Sequence, residues 1–418
     1  MTSSTVRRYV QLGVLTLAAG GMYPLIYLRQ NFEVSILESF GITIAQLGQC
    51  YSMLGVIFVV TYLPSGWLAD RVSPRILVVF SLVGMALLGI WFSTMPGFES
   101  LLIIFAGWGI VTGLTFWAAM IKAVAVLAEH DEQGRFFGIL EGGRGLVEAI
   151  LASIAAFILY YAINELSQSA STALLKIIYM YVGFALLLAP IVYFTIDDRR
   201  AEPEQAERPK RGAAQLFADL RTILSNQAMW LAAFCILTGY QLFWATYSFS
   251  GYLQNIFGLT AVTGAVLTVI KLWMRPIGAV AAGIIGDRLN LEKTLSALML
   301  AGTISVGLLI VLPVGTVVPV LLGAVITIGL TTYAIRGIFW ATLDDCQIPV
   351  RIKGLAIGVM SLIGYSPDIY LGLLNGYLLE TYPGKTGYDL YFGFIVFMGL
   401  LGTMAAWRLH IVVSRSHS

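Results

Sequence analysis

The chain has 418 residues, of which 58% are hydrophobic and only 11% charged, and its formal net charge is +2. About a quarter of the residues of a soluble protein are charged, so this composition excludes an ordinary soluble fold and places the chain in a lipid bilayer. The three cysteines, Cys50, Cys235 and Cys346, are scattered and suggest neither a disulfide framework nor a metal cluster.

Twelve apolar stretches are each close to the roughly 20 residues that a helix needs to cross the bilayer, which predicts an all-α polytopic membrane protein. The predicted spans are 9–38, 44–68, 76–95, 100–126, 135–163, 172–196, 227–255, 262–285, 291–312, 317–342, 353–380 and 387–411. The first is predicted to be one uncleaved helix, because its apolar run continues beyond a sequence at Leu17–Gly20 that resembles a signal-peptide cleavage site.

Residues 197–226 hold the one long polar run and are predicted to be a cytoplasmic linker, with an amphipathic stretch from Ala214 to Leu224. The linker separates an N-terminal six-helix bundle, 1–196, from a C-terminal six-helix bundle, 227–418. With this threading, 17 of the 25 basic residues fall on the side of both termini. This asymmetry follows the positive-inside rule and predicts that both termini are cytoplasmic.

Two short sequences recur at nearly one offset. A charged loop follows the second span, and a weaker copy stands 217 residues later: Gly66-x-x-x-Asp70-Arg71-x-x-x-Arg75 and Gly283-x-x-x-Asp287-Arg288. A second pair is offset by 216 residues: Gly113-Leu114-Thr115-Phe116 and Gly329-Leu330-Thr331-Thr332. Matching offsets indicate two homologous halves.

The charged loop resembles the signature loop of the major facilitator superfamily, and the resemblance covers the whole chain. It implies two pseudo-symmetric six-helix bundles around a central cavity that opens alternately to each side. The loop residues and their copies are then gating candidates, with Asp70 latching one conformation against a helix N-terminus or a nearby arginine. Ser73-Pro74 stands where the family often has glycine.

Apart from basic residues near the span ends, six basic residues fall within predicted spans: Arg29, Lys122, Arg144, Lys271, Arg275 and Arg336. Each costs about 2.5–3.5 kcal/mol at a helix centre, so they are not expected to face lipid. The clearly intramembrane acids are Glu141, Glu148 and Asp368, with Glu33 and Glu38 assigned nearer the first loop. The excess is positive, which favours an anionic substrate.

The stretch Tyr27-Leu28-Arg29-Gln30-Asn31-Phe32, with the loop that follows and Ser73-Pro74-Arg75, resembles the organophosphate:phosphate antiporter family. The resemblance implies that Arg29 binds the phosphate of the substrate. Tyr27 and Asn31, in the same stretch, are further candidates for substrate binding. A guanidinium matches phosphate geometry and stays charged. The alternative is an arginine that snorkels to the outer interface.

The family has a second arginine on its seventh helix, and here this sequence departs from the pattern. The equivalent position is Ala245, in an aromatic stretch whose Tyr240, Trp244 and Tyr247 either stack on the organic part of the substrate or only pack helices. Lys271 and Arg275, one turn apart on the eighth span, are candidates to restore the positive charge. A carboxylate or another anion is therefore an alternative to phosphate.

Beyond the loop residues, the candidates for coupling and gating are Glu148, Lys122, Arg336 and Asp368, with Lys271 as the partner of Glu148. Glu148 and Lys271 are predicted to lie about 20 and 21 Å from the cytoplasmic ends of their helices, which suggests a switchable bridge coupled to substrate or proton. Lys122 and Arg336 form part of an inner gate or snorkel to the surface. Asp368, after Ser366-Pro367, is a candidate proton carrier.

The sequence has no phosphate-binding loop for ATP hydrolysis and no nucleophile beside a credible histidine base. It therefore predicts no enzyme, no cofactor, no metal and no nucleic-acid partner. The predicted function is a monomeric secondary active transporter of a small anionic organic solute, phosphorylated or not, in the inner membrane. Phosphate exchange and proton coupling both remain open. The alternatives are a proton-coupled carboxylate transporter and a transporter-like sensor of a phosphorylated metabolite.

Overall fold

The computed structural model describes residues 3–129, 132–197, 213–349 and 352–416, and its regular structure over these ranges is helical. Nine helices precede residue 225: α1 Ser3–Met22, α2 Arg29–Phe40, α3 Ile44–Arg71, α4 Pro74–Ser93, α5 Phe98–Gly109, α6 Trp117–Leu127, α7 Gln133–Tyr160, α8 Ala170–Thr195 and α9 Ala213–Leu224. Nine follow it: α10 Gln227–Ala245, α11 Phe249–Phe257, α12 Ala261–Leu289, α13 Leu291–Val311, α14 Val318–Ile338, α15 Thr342–Asp345, α16 Lys353–Gly364, α17 Pro367–Thr381 and α18 Lys385–Ser416.

Eleven helical segments in the described ranges are long and apolar enough to cross a membrane, and they correspond to the second to twelfth predicted spans. The all-α polytopic prediction is therefore confirmed. The amphipathic stretch predicted at Ala214 to Leu224 is also a helix, α9.

The first predicted span is not one continuous helix. It consists of α1 and α2, separated by turns over residues 23–28. Pro24 lies in this break, where its ring and missing N–H oppose helix continuation. Phe32, within α2, departs from helical geometry with φ −134° and ψ 33°. The break leaves Arg29 at the first position of α2.

Other membrane segments are also interrupted. A 3₁₀ turn at Thr246–Ser248 separates α10 from α11, and Tyr365 and Ser366 separate α16 from α17. A π-helical stretch, Ile110–Phe116, lies between α5 and α6. Non-helical backbone within a membrane protein is tolerated where protein or water satisfies its polar groups, and so it often accompanies function.

The internal repeat has a structural counterpart in close helix contacts. A Cβ on Gly113 would clash with Thr61, on α3. In the second half, a Cβ on Gly278 would lie 2.6 Å from the carbonyl oxygen of Leu330. Thr61 and Gly278 are offset by 217 residues, as are Gly113 and Leu330. The same close approach is thus made twice, with the glycine on opposite members of the helix pair.

By contacts the chain divides into two compact units. Unit 1 comprises Met1–Glu202 and Phe249–Trp273, and unit 2 comprises Pro203–Ser248 and Met274–Ser418. In unit 1, α4 packs on α8, α1 on α7 and α11 on α2. In unit 2, α18 packs on α13 and on α10.

Candidate functional site

A buried ion pair occupies the break in the first membrane segment of unit 1. Arg29 Nε donates to Glu33 Oε2 over 2.6 Å, and the two side chains are only 2% and 1% exposed. The residues are four apart on α2, the spacing that places side chains on one helix face. Arg29 is therefore held inside the protein, which is the opposite of the snorkelling alternative.

Aromatic rings lie beside this pair. The Arg29 guanidinium is 5.9 Å from the centroid of the Tyr51 ring, which stacks on Tyr27 with centroids 5.7 Å apart. The Tyr51 hydroxyl donates to the carbonyl oxygen of Ile26, in the turn before α2, over 2.8 Å. That bond satisfies a carbonyl released by the helix break and fixes the ring beside the guanidinium.

The neighbours of Arg29 on α2 add polar groups. The side-chain oxygen of Asn31 is fully enclosed and accepts no hydrogen bond from the described residues. Its main-chain carbonyl accepts from the Ser250 hydroxyl on α11 over 3.0 Å. Gln30 Nε2 donates to Glu148 Oε1 on α7 over 3.4 Å. The predicted residues Arg29, Asn31 and Glu148 are thus part of one polar region in unit 1.

Lys271 is completely buried in α12. Near it, the Trp273 indole N–H donates to the Ser153 hydroxyl on α7 over 3.1 Å. The two helices that carry Lys271 and Glu148 therefore contact each other within unit 1. The Glu148–Lys271 bridge itself stays a prediction.

In unit 2, Asp368 is the centre of a second polar cluster. Its Oδ1 accepts from the Tyr240 hydroxyl over 2.8 Å and from the Trp244 indole N–H over 2.7 Å. Tyr240 and Trp244, which were predicted to contact the substrate through their rings, thus use their O–H and N–H groups to bind this carboxylate. The break before α17 places Asp368 in the first turn of that helix, 6% exposed.

Cationic side chains in unit 2 lie against aromatic rings. The Arg336 guanidinium is 4.1 Å from the centroid of Phe243 and 5.6 Å from that of Tyr240, whose hydroxyl donates to Asp368. Arg336 therefore belongs with the Asp368 cluster. Arg275 lies 5.9 Å from the centroid of Tyr333.

Two further side chains complete this cluster. The Tyr247 ring packs edge-on against Trp244, with centroids 4.9 Å apart. Gln241 Nε2 bonds the Tyr370 hydroxyl, and Gln241 Oε1 is enclosed without a hydrogen-bond donor among the described residues.

The signature loop of unit 1 is contacted by Lys122 on α6. Lys122 Nζ donates to the carbonyl oxygen of Ala69 over 2.8 Å and to Asp70 Oδ1 over 3.2 Å. The partner of Asp70 described here is therefore a lysine, where an arginine or a helix N-terminus was expected. Lys122, predicted for an inner gate, holds the end of α3.

The other loop residues make contacts of their own. Arg71 stacks on Trp67, 4.0 Å from its centroid, and Arg75 lies 5.1 Å from that of Tyr193. Arg288 is exposed at the end of α12. The side chain of Asp287 lies outside what the structure describes.

The structure corrects one count made from sequence. Glu33, assigned nearer the first loop, is buried in α2 and therefore joins Glu141, Glu148 and Asp368 among the intramembrane acids. Glu33 is also the functional candidate that sequence reasoning missed, although its four-residue spacing from Arg29 was a usable signal. Arg144 Nη1 forms a local salt bridge with Glu141 Oε1, three residues earlier on α7, over 3.1 Å.

These helices, breaks and buried charges define a polytopic membrane protein with polar clusters inside its spans. Residues 14–370 match the sequence profile of the Major Facilitator Superfamily. The match covers most of the chain, so the chain belongs to this superfamily of transporters.

Curated relatives extend over most of the chain. Inner membrane protein YihN of Escherichia coli is 28% identical over 411 residues, covering 97% of this chain and 96% of that protein. A D-galactonate transporter of Escherichia coli is 22% identical over 390 residues, 85% of this chain and 86% of the relative. The probable sulfoacetate transporter SauU of Cupriavidus necator is 25% identical over 452 residues, 97% and 94% of the two chains.

Solved structures agree on the fold. The nucleoside transporter NupG superposes with a TM-score of 0.71 at 13% identity, covering 96% of this chain and 99% of that one. A bacterial homologue of the lysosomal transporter Spinster gives a TM-score of 0.68 at 13% identity, covering 98% and 97%. The major facilitator fold is thereby shown, and identities this low support the fold alone.

Proposed function

We propose that this protein is a secondary active transporter that moves a small organic anion across the inner membrane by alternating access, with both termini cytoplasmic. The observation that carries the proposal is the burial of Arg29 in a broken membrane segment, with Glu33 on its Nε and an aromatic ring beside it. Ionisable residues within membrane segments are expensive and usually serve transport. A guanidinium suits an anionic substrate because it stays charged and donates along two edges.

The charge inventory supports an anion over a cation. By the predicted bounds, eleven basic and eight acidic residues, Glu33 included, lie within the spans, so the segments carry a positive excess. The D-galactonate and sulfoacetate relatives are named for acids, which agrees with an anionic substrate.

Three chemical classes of anion fit an arginine site. A carboxylate, a sulfonate and a phosphate each present oxygens that a guanidinium can bind in pairs. The organophosphate antiporter resemblance rests on the residues around Arg29, but its second arginine is replaced by Ala245. Carboxylates and sulfonates are therefore our preferred substrates, and organophosphates are the second class to test.

The driving force is proton cotransport or anion exchange. Glu33 is our first candidate for the proton-carrying group, because an anion that binds Arg29 competes with this carboxylate. Protonation of Glu33 would remove that competition and link one proton to one bound anion. Exchange for internal phosphate requires no such group, so the two modes are separable by experiment.

The test is uptake of radiolabelled D-galactonate, sulfoacetate and glycerol phosphate into proteoliposomes. An inward proton gradient and preloading with inorganic phosphate are applied separately. We expect uptake of at least one acid under one of these conditions, and its loss in Arg29→Gln. Lys385→Gln is the matched control, since Lys385 also pairs with an acid four residues on, Asp389, but is partly exposed. Binding without flux would support the sensor alternative, and neither binding nor flux of any anion would contradict the proposal.

A further inference from the structure

Arg144 on α7 has hydrogen-bond donors that the protein does not use. Its Nη1 donates to Glu141 Oε1 over 3.1 Å, and its other N–H groups donate to none of the described residues. A guanidinium has five N–H donors and remains charged. The group is also accessible, because the side chains of Arg144 and Glu141 are 15% and 51% exposed. Arg144 can therefore bind an anion through its remaining N–H groups.

The depth of Arg144 indicates that its exposed edge faces water. Arg144 is eleven residues from Gln133, the first residue of α7, which is roughly 16 Å along the helix axis. An arginine exposed to lipid at such a depth is strongly disfavoured, so charged residues of membrane spans line aqueous routes or pair with other groups. The unused N–H groups of Arg144 are thus within reach of a dissolved anion.

Two aromatic rings hold the guanidinium of Arg144. It lies 4.9 Å from the centroid of Trp117 on α6 and 5.6 Å from that of Tyr23, in the turn after α1. Both distances are within the range of cation–π attraction, which positions the guanidinium without using its N–H groups. The rings therefore orient Arg144 and leave its donors available for a ligand.

A row of tyrosine rings connects Arg144 with Arg29 inside unit 1. The Tyr23 and Tyr27 rings have centroids 6.4 Å apart, and Tyr27 stacks on Tyr51, beside the Arg29 guanidinium. Tyr23 and Tyr27 lie one turn apart in the break between α1 and α2, since the Tyr27 N–H donates to the Tyr23 carbonyl oxygen over 3.0 Å. Both rings are half-buried, whereas the Arg29 side chain is only 2% exposed. The row thus leads from an accessible guanidinium to an enclosed one.

We propose that Arg144, with Tyr23 and Trp117, is a second anion-binding position, which a transported anion occupies before or after it binds Arg29. This inference rests on the proposed function, because it assigns a second binding step to the same solute. The occupant is a carboxylate or sulfonate group, whose oxygens accept from two N–H groups of one guanidinium at once. Glu141 stays bonded to Nη1 and does not compete for these donors, in contrast to Glu33 at Arg29.

The test places a cysteine beside Arg144 in the purified full chain and measures its rate of modification by two thiosulfonate reagents. The native cysteines, Cys50, Cys235 and Cys346, are buried, so the background is low. Sulfonatoethyl methanethiosulfonate carries a sulfonate, and its trimethylammonium counterpart carries a cation. In Tyr23→Cys, the rate with the anionic reagent should saturate with its concentration. Adding Arg144→Gln should lower the anionic-to-cationic rate ratio at least about tenfold, since a hydrogen bond to a charged group contributes about that factor.

Two further variants make the result decisive. Lys122→Gln in the same cysteine background is the matched control, because it removes a cation of similar exposure from α6, and it should leave the rate ratio unchanged. If Tyr23→Cys fails to fold, Trp117→Cys places the reporter at the other ring and gives the same comparison. A rate ratio that does not depend on Arg144 would overturn the inference.

Uptake into proteoliposomes separates this inference from the proposed function. Arg144→Gln should raise the KM for the radiolabelled acid about tenfold, whereas Arg29→Gln should abolish its uptake. An Arg144-dependent reagent ratio with no uptake of any acid would support the second position and contradict transport. Uptake that requires Arg29, with a reagent ratio independent of Arg144, would support transport and contradict the second position.

Discussion

Glu33 accepts a hydrogen bond from Arg29 across one helical turn, and both side chains are at most 2% exposed. The guanidinium that we propose as the binding group for the substrate is therefore already paired with a carboxylate of the protein. A substrate anion must share the guanidinium with Glu33 or displace it.

Removing one member of the pair should destabilise the protein more than removing both. Breaking a buried ion pair from one side costs about 3–5 kcal/mol, because it leaves an uncompensated buried charge. Arg29→Met and Glu33→Gln should each lower the unfolding temperature, and the double variant should recover much of the loss. Thermal unfolding of the four proteins in one detergent checks this. Additive losses would show that the pair is not coupled.

Glu33→Gln should bind the anion more tightly than the wild type at neutral pH, because the competing charge is gone. The wild type should bind more tightly as the pH falls, since a proton on Glu33 releases Arg29 for the anion, whereas Glu33→Gln should bind equally at all pH values. Affinity measured across a pH series checks both statements. Glu141→Gln, which removes the carboxylate of the Glu141–Arg144 pair, is the control. An unchanged pH profile in Glu33→Gln would exclude it as the proton carrier.

The signature-loop contact should affect the rate of transport rather than stability. Asp70 is 76% exposed, so its pair with Lys122 contributes at most about 1 kcal/mol. Asp70→Asn should slow uptake at saturating substrate with an unchanged unfolding temperature. Lys122→Gln should slow it more, because Lys122 also binds the Ala69 carbonyl oxygen at the end of α3. Uptake rates equal to the wild type in both variants would remove the latch role.

The predicted Glu148–Lys271 bridge can be tested with charge-neutral variants. Glu148→Gln and Lys271→Gln should each impair uptake, because each leaves the other charge inside the spans. The double variant should transport better than either single variant but with altered pH dependence. Initial uptake rates between pH 5 and pH 8 measure this. Double neutralisation with no effect on transport or its pH dependence would end the hypothesis.

Two adjacent glycines on α7 should respond to alanine in opposite ways. A Cβ on Gly143 would clash with Thr16 on α1, whereas a Cβ on Gly142 meets nothing within 4 Å. Gly142→Ala should stabilise by up to about 1 kcal/mol through helix propensity. Gly143→Ala should destabilise by about 1–3 kcal/mol through overpacking. Thermal unfolding compares them, and equal shifts would contradict the α1–α7 contact.

Much of the fold was predictable because hydrophobic length is a local signal. The eleven later spans and the amphipathic helix α9 follow from runs of apolar or alternating residues, and the Gly113 repeat reflects a helix contact that both halves make. The break between α1 and α2 was missed because the apolar run masks it. Pro24 marks the place, but a single proline in an apolar span can also be accommodated by a kink.

The sequence identified most residues of the candidate site but only a few of the contacts between them. Arg29 was identified from its cost in a membrane, and Glu33 was missed because it follows a polar run that resembles the start of a loop. The bonds from Tyr240 and Trp244 to Asp368 join residues 128 and 124 positions apart. A single sequence does not show which helices contact each other when they are so distant along the chain. These residues could therefore be named as candidates, but their contacts could not be predicted.

The most direct test of the account is uptake of one organic acid by wild-type, Arg29→Lys and Arg29→Gln proteins in matched proteoliposomes. Saturable uptake by the wild type, reduced but measurable uptake by Arg29→Lys and none by Arg29→Gln is the predicted result, because a lysine keeps the charge but loses the planar fork. Equal uptake by wild-type and Arg29→Gln proteins that are folded and inserted alike would contradict the claim that Arg29 binds the transported anion.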